Sequence, residues 1–97
     1  MERNKLYEMV SFVTLSEYRV QIMEALYATQ RPQTPTELAD ETDIKRDYIS
    51  RHLTKLKEKD LVELLNPDAH MNRYYELTDK GTELMEAMKE EGFLESG

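Results

Sequence analysis

Residues 43–62 read DIKRDYISRHLTKLKEKDLV, a stretch whose charge runs against that of the chain around it. The 97 residues hold 20 Asp and Glu against 13 Lys and Arg, a formal net charge of −7. Positions 45–59 reverse that sign. They carry six bases (Lys45, Arg46, Arg51, Lys55, Lys57 and Lys59) and two acids (Asp47 and Glu58), which leaves −11 on the rest. Apolar residues in the segment recur at helical spacing. At 100° per residue, Ile49, Leu53 and Leu56 fall within about 60° of arc, so that side faces a core. Asp47, Ser50, Arg51, Thr54 and Glu58 point the other way, with Lys55 and Lys57 on the flanks.

Upstream, Thr34-Pro35-Thr36-Glu37 opens a helix of about residues 35–41, with threonine as N-cap, proline at the first helical position and glutamate closing a capping box. Glu41-Thr42-Asp43-Ile44 is then a short turn into the basic helix of about 45–59. Further back, Leu6, Met9, Val10 and Val13 fall at i, i+3, i+4 and i+7, which predicts an amphipathic helix over about 3–13. Either Thr14 or Ser16 caps a second helix of about 16–29. That helix is apolar on two sides, with Leu15, Tyr18, Ile22, Ala25 and Leu26 on one and Val20, Met23 and Tyr27 on the other, so it needs two packing partners. Arg31-Pro32-Gln33 breaks it. Downstream the period changes from 3.6 to 2. Residues 61–65 (LVELL) and 73–77 (RYYEL) read as strands of an antiparallel hairpin, with NPDAHMN as its tip. Thr78 caps a last helix of about 79–91, Gly92 holds the place of a left-handed C-terminal cap, and Phe93 is expected to pack back on Met88.

Short helix, tight turn, longer helix and hairpin is the order of a winged helix-turn-helix. The expected fold is therefore a single, mainly helical α+β domain with a two-stranded wing and additional N- and C-terminal helices. The major groove of DNA admits such a basic helix and offers donors and acceptors to its short polar side chains. On this reading Arg51, with Ser50, Thr54 and Asp47, reads base edges, while Lys45, Arg46 and Lys55 hold phosphates. Tyr48, at the helix flank, has two readings: a hydroxyl donated to a phosphate, or part of the core. The acidity elsewhere repels the phosphate backbone from the other faces. A solvated helix face is the plain alternative for any charge run; its position on the second helix of this pattern favours nucleic acid.

The residues TPTELADETDIKRDYISRHLTKLKEKDLVEL (34–64) and NRYYELTDKGTEL (72–84) resemble the ArsR/MarR-type winged-helix transcription regulators, especially small archaeal ones. The resemblance covers about residues 15–90 and implies sequence-specific, dimeric binding to double-stranded DNA and transcriptional control. It also implies that Arg73, assisted by Asn72, touches minor-groove edges or a flanking phosphate; the competing reading pairs Arg73 with Asp68 or Glu63 on the hairpin. Two departures stand out. Asp43 and Asp60 occupy positions where many relatives have glycine, and aspartate is among the residues that best tolerate the left-handed backbone such positions need. The metal sensors among these regulators are not matched, since the chain has no cysteine and only His52 and His70. His52 falls near the core side of its helix, and His70 lies in the wing tip.

Zero cysteines exclude a disulfide framework and fit a reducing compartment. No apolar run reaches the roughly 18 residues of a membrane span, and none resembles a signal peptide, so the cytoplasm is the default location and no membrane partner is expected. No nucleophile motif or phosphate-binding glycine loop points to an enzyme, and no cofactor is implied. Dimer clefts among the resembled regulators bind aromatic molecules, but nothing in these residues identifies an effector. A winged helix that serves as a protein-interaction module is the rival function. Finally, the apolar stripes on the terminal helices exceed what one small subunit usually exposes. A homodimer built from Leu6, Met9, Val10 and Val13 with Leu84, Met85, Met88 and Phe93 is expected, its helices divided between intrachain packing and the partner, on a pseudo-palindromic site.

Overall fold

The computed structural model describes residues 2–92, as five helices and a two-stranded antiparallel hairpin. The helices are α1 (Arg3–Thr14), α2 (Glu17–Thr29), α3 (Pro35–Thr42), α4 (Arg46–Glu58) and α5 (Asp79–Glu90), with β1 (Val62–Leu64) and β2 (Tyr75–Leu77) between the last two. Each boundary has a local cause. Ser16, not Thr14, caps α2, accepting the Arg19 N–H at 3.3 Å. Thr14 instead donates its hydroxyl to the Val10 carbonyl at 2.7 Å. Thr34 and Glu37 form the reciprocal capping box at 3.2 and 2.9 Å, with Pro35 in the first turn. Left-handed residues close the elements: Gln30 (φ 51°) after α2, Asp43 (φ 63°) after α3, Asp60 (φ 59°) before β1 and Gly92 (φ 77°) after α5.

Helix α2 is the centre of the domain. Its Ile22, Met23, Ala25 and Leu26 are buried on both sides, against α1 and α5 on one hand and against α3, α4 and β2 on the other. Leu38, Ile44, Ile49, Leu53, Leu56, Leu61 and Val62 complete the core. Two expectations need correction here. Leu15 does not join the α2 stripe; it follows the last turn of α1 and is 82% exposed. More importantly, Val10, Val13, Leu84, Met85 and Met88, expected at a dimer interface, are all buried within the subunit. The reason is the double-sided α2: its second stripe must be covered, and α1 and α5 cover it. Leu6 and Met9 are half-buried against the same core, and Phe93 lies outside the described residues.

The hairpin pairs Val62 with Leu77, Glu63 with Glu76 and Leu64 with Tyr75, so each strand is three residues long rather than five. A third segment was not foreseen. Gln33 exchanges both backbone hydrogen bonds with Tyr75, at 2.8 and 2.9 Å, and so fastens the start of α3 to the wing.

Glu63 and Glu76 stand directly opposite, where like charges destabilise a strand pair. Burial, then a hydrogen bond to Glu63, then repulsion from it hold the Glu76 carboxyl above its ordinary range. A carboxyl whose folded pKa is raised stabilises the fold fully below about pH 4.5, and that contribution is lost as pH rises through the raised value. Glu76→Gln, which keeps a hydrogen-bonding group without the charge, should therefore raise the urea midpoint at pH 7 and flatten its rise toward pH 5. A midpoint lowered at pH 7 would show that the charge is well accommodated.

No helix among the described residues is long and apolar enough to cross a membrane.

Candidate nucleic-acid interface

The turn from α3 into α4 is set by hydrogen bonds rather than glycine. Asp43, left-handed, sends its N–H to the Ala39 carbonyl at 2.9 Å. The Thr42 hydroxyl donates to the Leu38 carbonyl at 2.6 Å and accepts the Ile44 N–H at 3.3 Å. Ile44 then plugs the corner between the helices. With that corner fixed, Ile49, Leu53 and Leu56 turn α4 inward on one side, and Arg46, Asp47, Tyr48, Ser50, Arg51, Thr54 and Lys55 are all exposed. Lys45, just before the helix, is exposed as well. The helix also obeys its own dipole, with Asp47 in the first turn and Lys55 and Lys57 in the last.

The exposed side chains divide between two flanks. On the flank toward the wing stand Arg46, Ser50 and Thr54. Thr54 donates its hydroxyl to the Ser50 carbonyl at 3.1 Å, so what it offers outward is an acceptor. On the flank toward the start of α2 stand Tyr48, Arg51 and His52. The Tyr48 ring lies 5.7 Å from the Tyr18 ring, and the Arg51 guanidinium carbon lies 5.5 Å from the Tyr48 centroid. Tyr48 thus sits on the surface, against Tyr18, and is not part of the main core. His52 is half-buried, edge-on to Tyr18 at 5.9 Å, and its Nδ1 has no hydrogen-bond partner among the described residues. Burial first, then Arg19, Lys55 and Arg51, hold its pKa below the ordinary value.

The wing tip is held by one side chain. Asn66 donates from Nδ2 to the Asn72 carbonyl at 2.9 Å and accepts the Tyr74 N–H at 2.8 Å. Within this clamp Asn72 adopts the left-handed region (φ 53°), with its side chain exposed. Arg73 is half-buried, and among the described residues its Nε is without a partner and it makes no ion pair with Asp68 or Glu63.

Between the wing, α4 and the start of α3 lies a groove of about 480 Å³. Arg46, Ser50 and Thr54 form one wall, and His70, Asn72 and Arg73 form the other. Among the described residues no Asp or Glu lines it, in a chain with 20 acids in 97 residues. Of the candidate DNA-binding residues, the groove brings together Arg46, Ser50, Thr54, Asn72 and Arg73. Lys45, Asp47, Tyr48, Arg51 and Lys55 are not part of its lining. The sequence placed Tyr18 on the apolar stripe of α2 and Asn66 in the wing tip, but neither at the site; Tyr18 is in fact exposed. Tyr18 meets α4 across 30 residues of chain, and the Asn66 clamp depends on the loop geometry it creates.

The family model described as "HVO_A0261 N-terminal domain" matches residues 7–95. A comparison with curated proteins found no match. Among solved structures, the MarR family transcription regulator SP03579 is 26% identical with a TM-score of 0.71 over 93% of this chain and 62% of its own. The MarR family transcriptional regulator SPO1453 from Silicibacter pomeroyi DSS-3 is 19% identical, with a TM-score of 0.62 over 75% of this chain and 51% of its own. HlyU from Vibrio cholerae N16961 is 21% identical, with a TM-score of 0.71 over 97% of this chain and 100% of its own. The chain thus spans half to two thirds of the length of the two MarR-family regulators. The fold is the winged helix of these structures.

Proposed function

The chain belongs to the HVO_A0261 N-terminal domain family, and from its winged-helix fold, shared with solved MarR-family transcription regulators, we propose that it is a transcription regulator that binds double-stranded DNA in a sequence-specific way. The observation that carries the proposal is the concentration of exposed cations and hydroxyls on α4 and the wing, beside a groove without acids in an acidic chain. In this reading α4 enters the major groove. Arg51 reads a base edge, aided by Ser50, by Asp47 and by Thr54 as an acceptor, while Lys45, Arg46 and Lys55 lie on phosphates. Arg73 and Asn72 carry the wing to the minor groove or a flanking phosphate. Arg73 is free for this role, because its half-buried guanidinium has no carboxylate partner among the described residues. Tyr48, with its ring held by Tyr18, contributes its hydroxyl to a phosphate at the edge of the site.

The proposal includes a two-fold dimer on a pseudo-palindromic site, with recognition helices about 34–36 Å apart. Its surface differs from the one expected from the sequence. With Val10, Val13 and the α5 residues used inside the subunit, α1 and the residue after it offer Tyr7 and Leu15 as exposed residues, with Leu6, Met9 and Phe12 at their margin. Sedimentation at micromolar concentration tests this part: a monomer that protects a single, non-repeated site would remove it.

Binding to duplex DNA across a salt series tests the main claim. Each phosphate neutralised by a cation adds about −0.9 to the slope of log K against log salt. Lys55→Ala should therefore weaken binding to all sequences alike and reduce the slope by about one. A slope near zero in the wild type, with tight capture of a protein partner instead, would favour a docking module over a regulator that touches DNA.

A further inference from the structure

We propose that Tyr18, on α2 and outside the helix-turn-helix, is a positioning residue that sets base specificity by holding Arg51 through Tyr48. The inference rests on the reading of Arg51 as a base-contacting residue. Three rings and a guanidinium form a short column here. His52 meets the edge of Tyr18 at 5.9 Å with planes 79° apart, Tyr18 meets Tyr48 at 5.7 Å and 38°, and Tyr48 meets the Arg51 guanidinium at 5.5 Å. The column starts on fixed ground. Ser16 caps the first turn of α2, and the next residue after Tyr18, Arg19, is buried, with its Nε donating to the Phe12 carbonyl at 2.8 Å and its guanidinium 4.3 Å from the Phe12 centroid. Tyr18 is thus a ring on a pinned turn, while Arg51 stands on an open helix face with many rotamers available.

An arginine that reads guanine must keep its planar fork aligned with O6 and N7, and ordering a free arginine on binding opposes affinity. A ring beneath the guanidinium restricts it beforehand and leaves the in-plane N–H donors unoccupied. Tyr48 alone would be a loose support, because it is itself at the surface; Tyr18 gives it a second contact from a different helix. His52 adds an edge contact to Tyr18, and its burial and the cations around it disfavour a further charge beside Arg51 and Lys55. The charged groups facing this imidazole are Arg19 on α2 and Arg51 and Lys55 on α4, all cations.

The test uses Tyr18→Leu, Tyr18→Phe and Arg51→Ala, alone and combined, against a selected duplex and the same duplex changed at the base that Arg51 reads. Tyr18→Leu should lower discrimination at that base about two- to fivefold and leave the salt slope unchanged. Tyr18→Phe should retain wild-type discrimination. In the Arg51→Ala background Tyr18→Leu should have no further effect on discrimination. Side-chain ¹⁵N relaxation of Arg51 Nε in the free protein gives a second reading, with Tyr48→Leu as the variant to use if Tyr18→Leu fails to fold; arginine order should fall in either. A silent Tyr18→Leu beside an intact Arg51→Ala effect overturns the brace alone, as does a loss equal at every base or one that adds in full to Arg51→Ala. If Arg51→Ala itself leaves discrimination unchanged, the base-reading assignment fails, and the brace with it.

Discussion

An Arg51→Ala protein should bind its preferred duplex more weakly by about 1–3 kcal/mol, and the loss should fall on one base position. The magnitude follows from the situation of the side chain. Arg51 is exposed on the outer face of α4, stacked on Tyr48 rather than tied to a carboxylate among the described residues. Its five donors are therefore available to a base edge, and a bidentate arginine–guanine pair supplies both affinity and selectivity. The contrast with Lys55 is the useful control, since a phosphate contact weakens all sequences equally and a base contact does not. Anisotropy titrations against duplexes changed one base pair at a time check this. An Arg51→Ala protein that discriminates as the wild type does would take the central residue out of the scheme.

The second large effect is on stability. Gly81 lies in the first turns of α5, where alanine would ordinarily favour a helix by about 1 kcal/mol over glycine. A Cβ at this position would nevertheless overlap the Leu61 carbonyl oxygen, a backbone atom that cannot swing away, and would touch Leu77 at 3.4 Å. The approach is close because the start of α5 is stitched to the turn between α4 and β1. Thr78 donates its N–H to the Leu61 carbonyl at 3.1 Å and its hydroxyl to the Asp60 carbonyl at 2.6 Å, while that hydroxyl accepts the Gly81 N–H at 3.0 Å. Gly81→Ala must separate these elements, and overpacking of this kind costs about 1–3 kcal/mol. For a domain of this size that corresponds to a fall in Tm of roughly 4–8 °C per kcal/mol. Thermal unfolding checks it, and an alanine variant as stable as the wild type would mean that α5 can shift without loss.

Much of this arrangement is legible in the residues themselves. The capping box at Thr34 and Glu37, the proline that starts α3 and the inward arc of Ile49, Leu53 and Leu56 are local signals, and local signals survive folding. The aspartates at 43 and 60 adopt left-handed backbone, as their chemistry suggested. What could not be read has a common cause: it depends on which surfaces meet. Periodicity announces that Val10, Val13, Leu84 and Met88 need cover; whether a partner or α2 provides it is decided by the three-dimensional packing, and α2 provides it. The Gln33–Tyr75 bridge spans a single residue pair and leaves no period. Tyr18 reads as one more apolar residue on α2 until its ring is seen beside Tyr48. Likewise, whether Arg73 meets a carboxylate depends on three-dimensional placement that its neighbours in sequence do not encode; among the described residues its Nε has no partner.

The central claim is that α4 lies in the major groove of a duplex, and methylation interference at guanine N7 tests it most directly, because that atom is exposed only there. Duplexes selected from a random pool would be methylated sparsely, and the bound and free fractions compared for wild type and Arg51→Ala. The account predicts strong interference at one guanine per half-site for the wild type, and its disappearance for Arg51→Ala while overall salt-dependent binding persists. Binding that tolerates N7 methylation throughout, with the same pattern in both proteins, would contradict it.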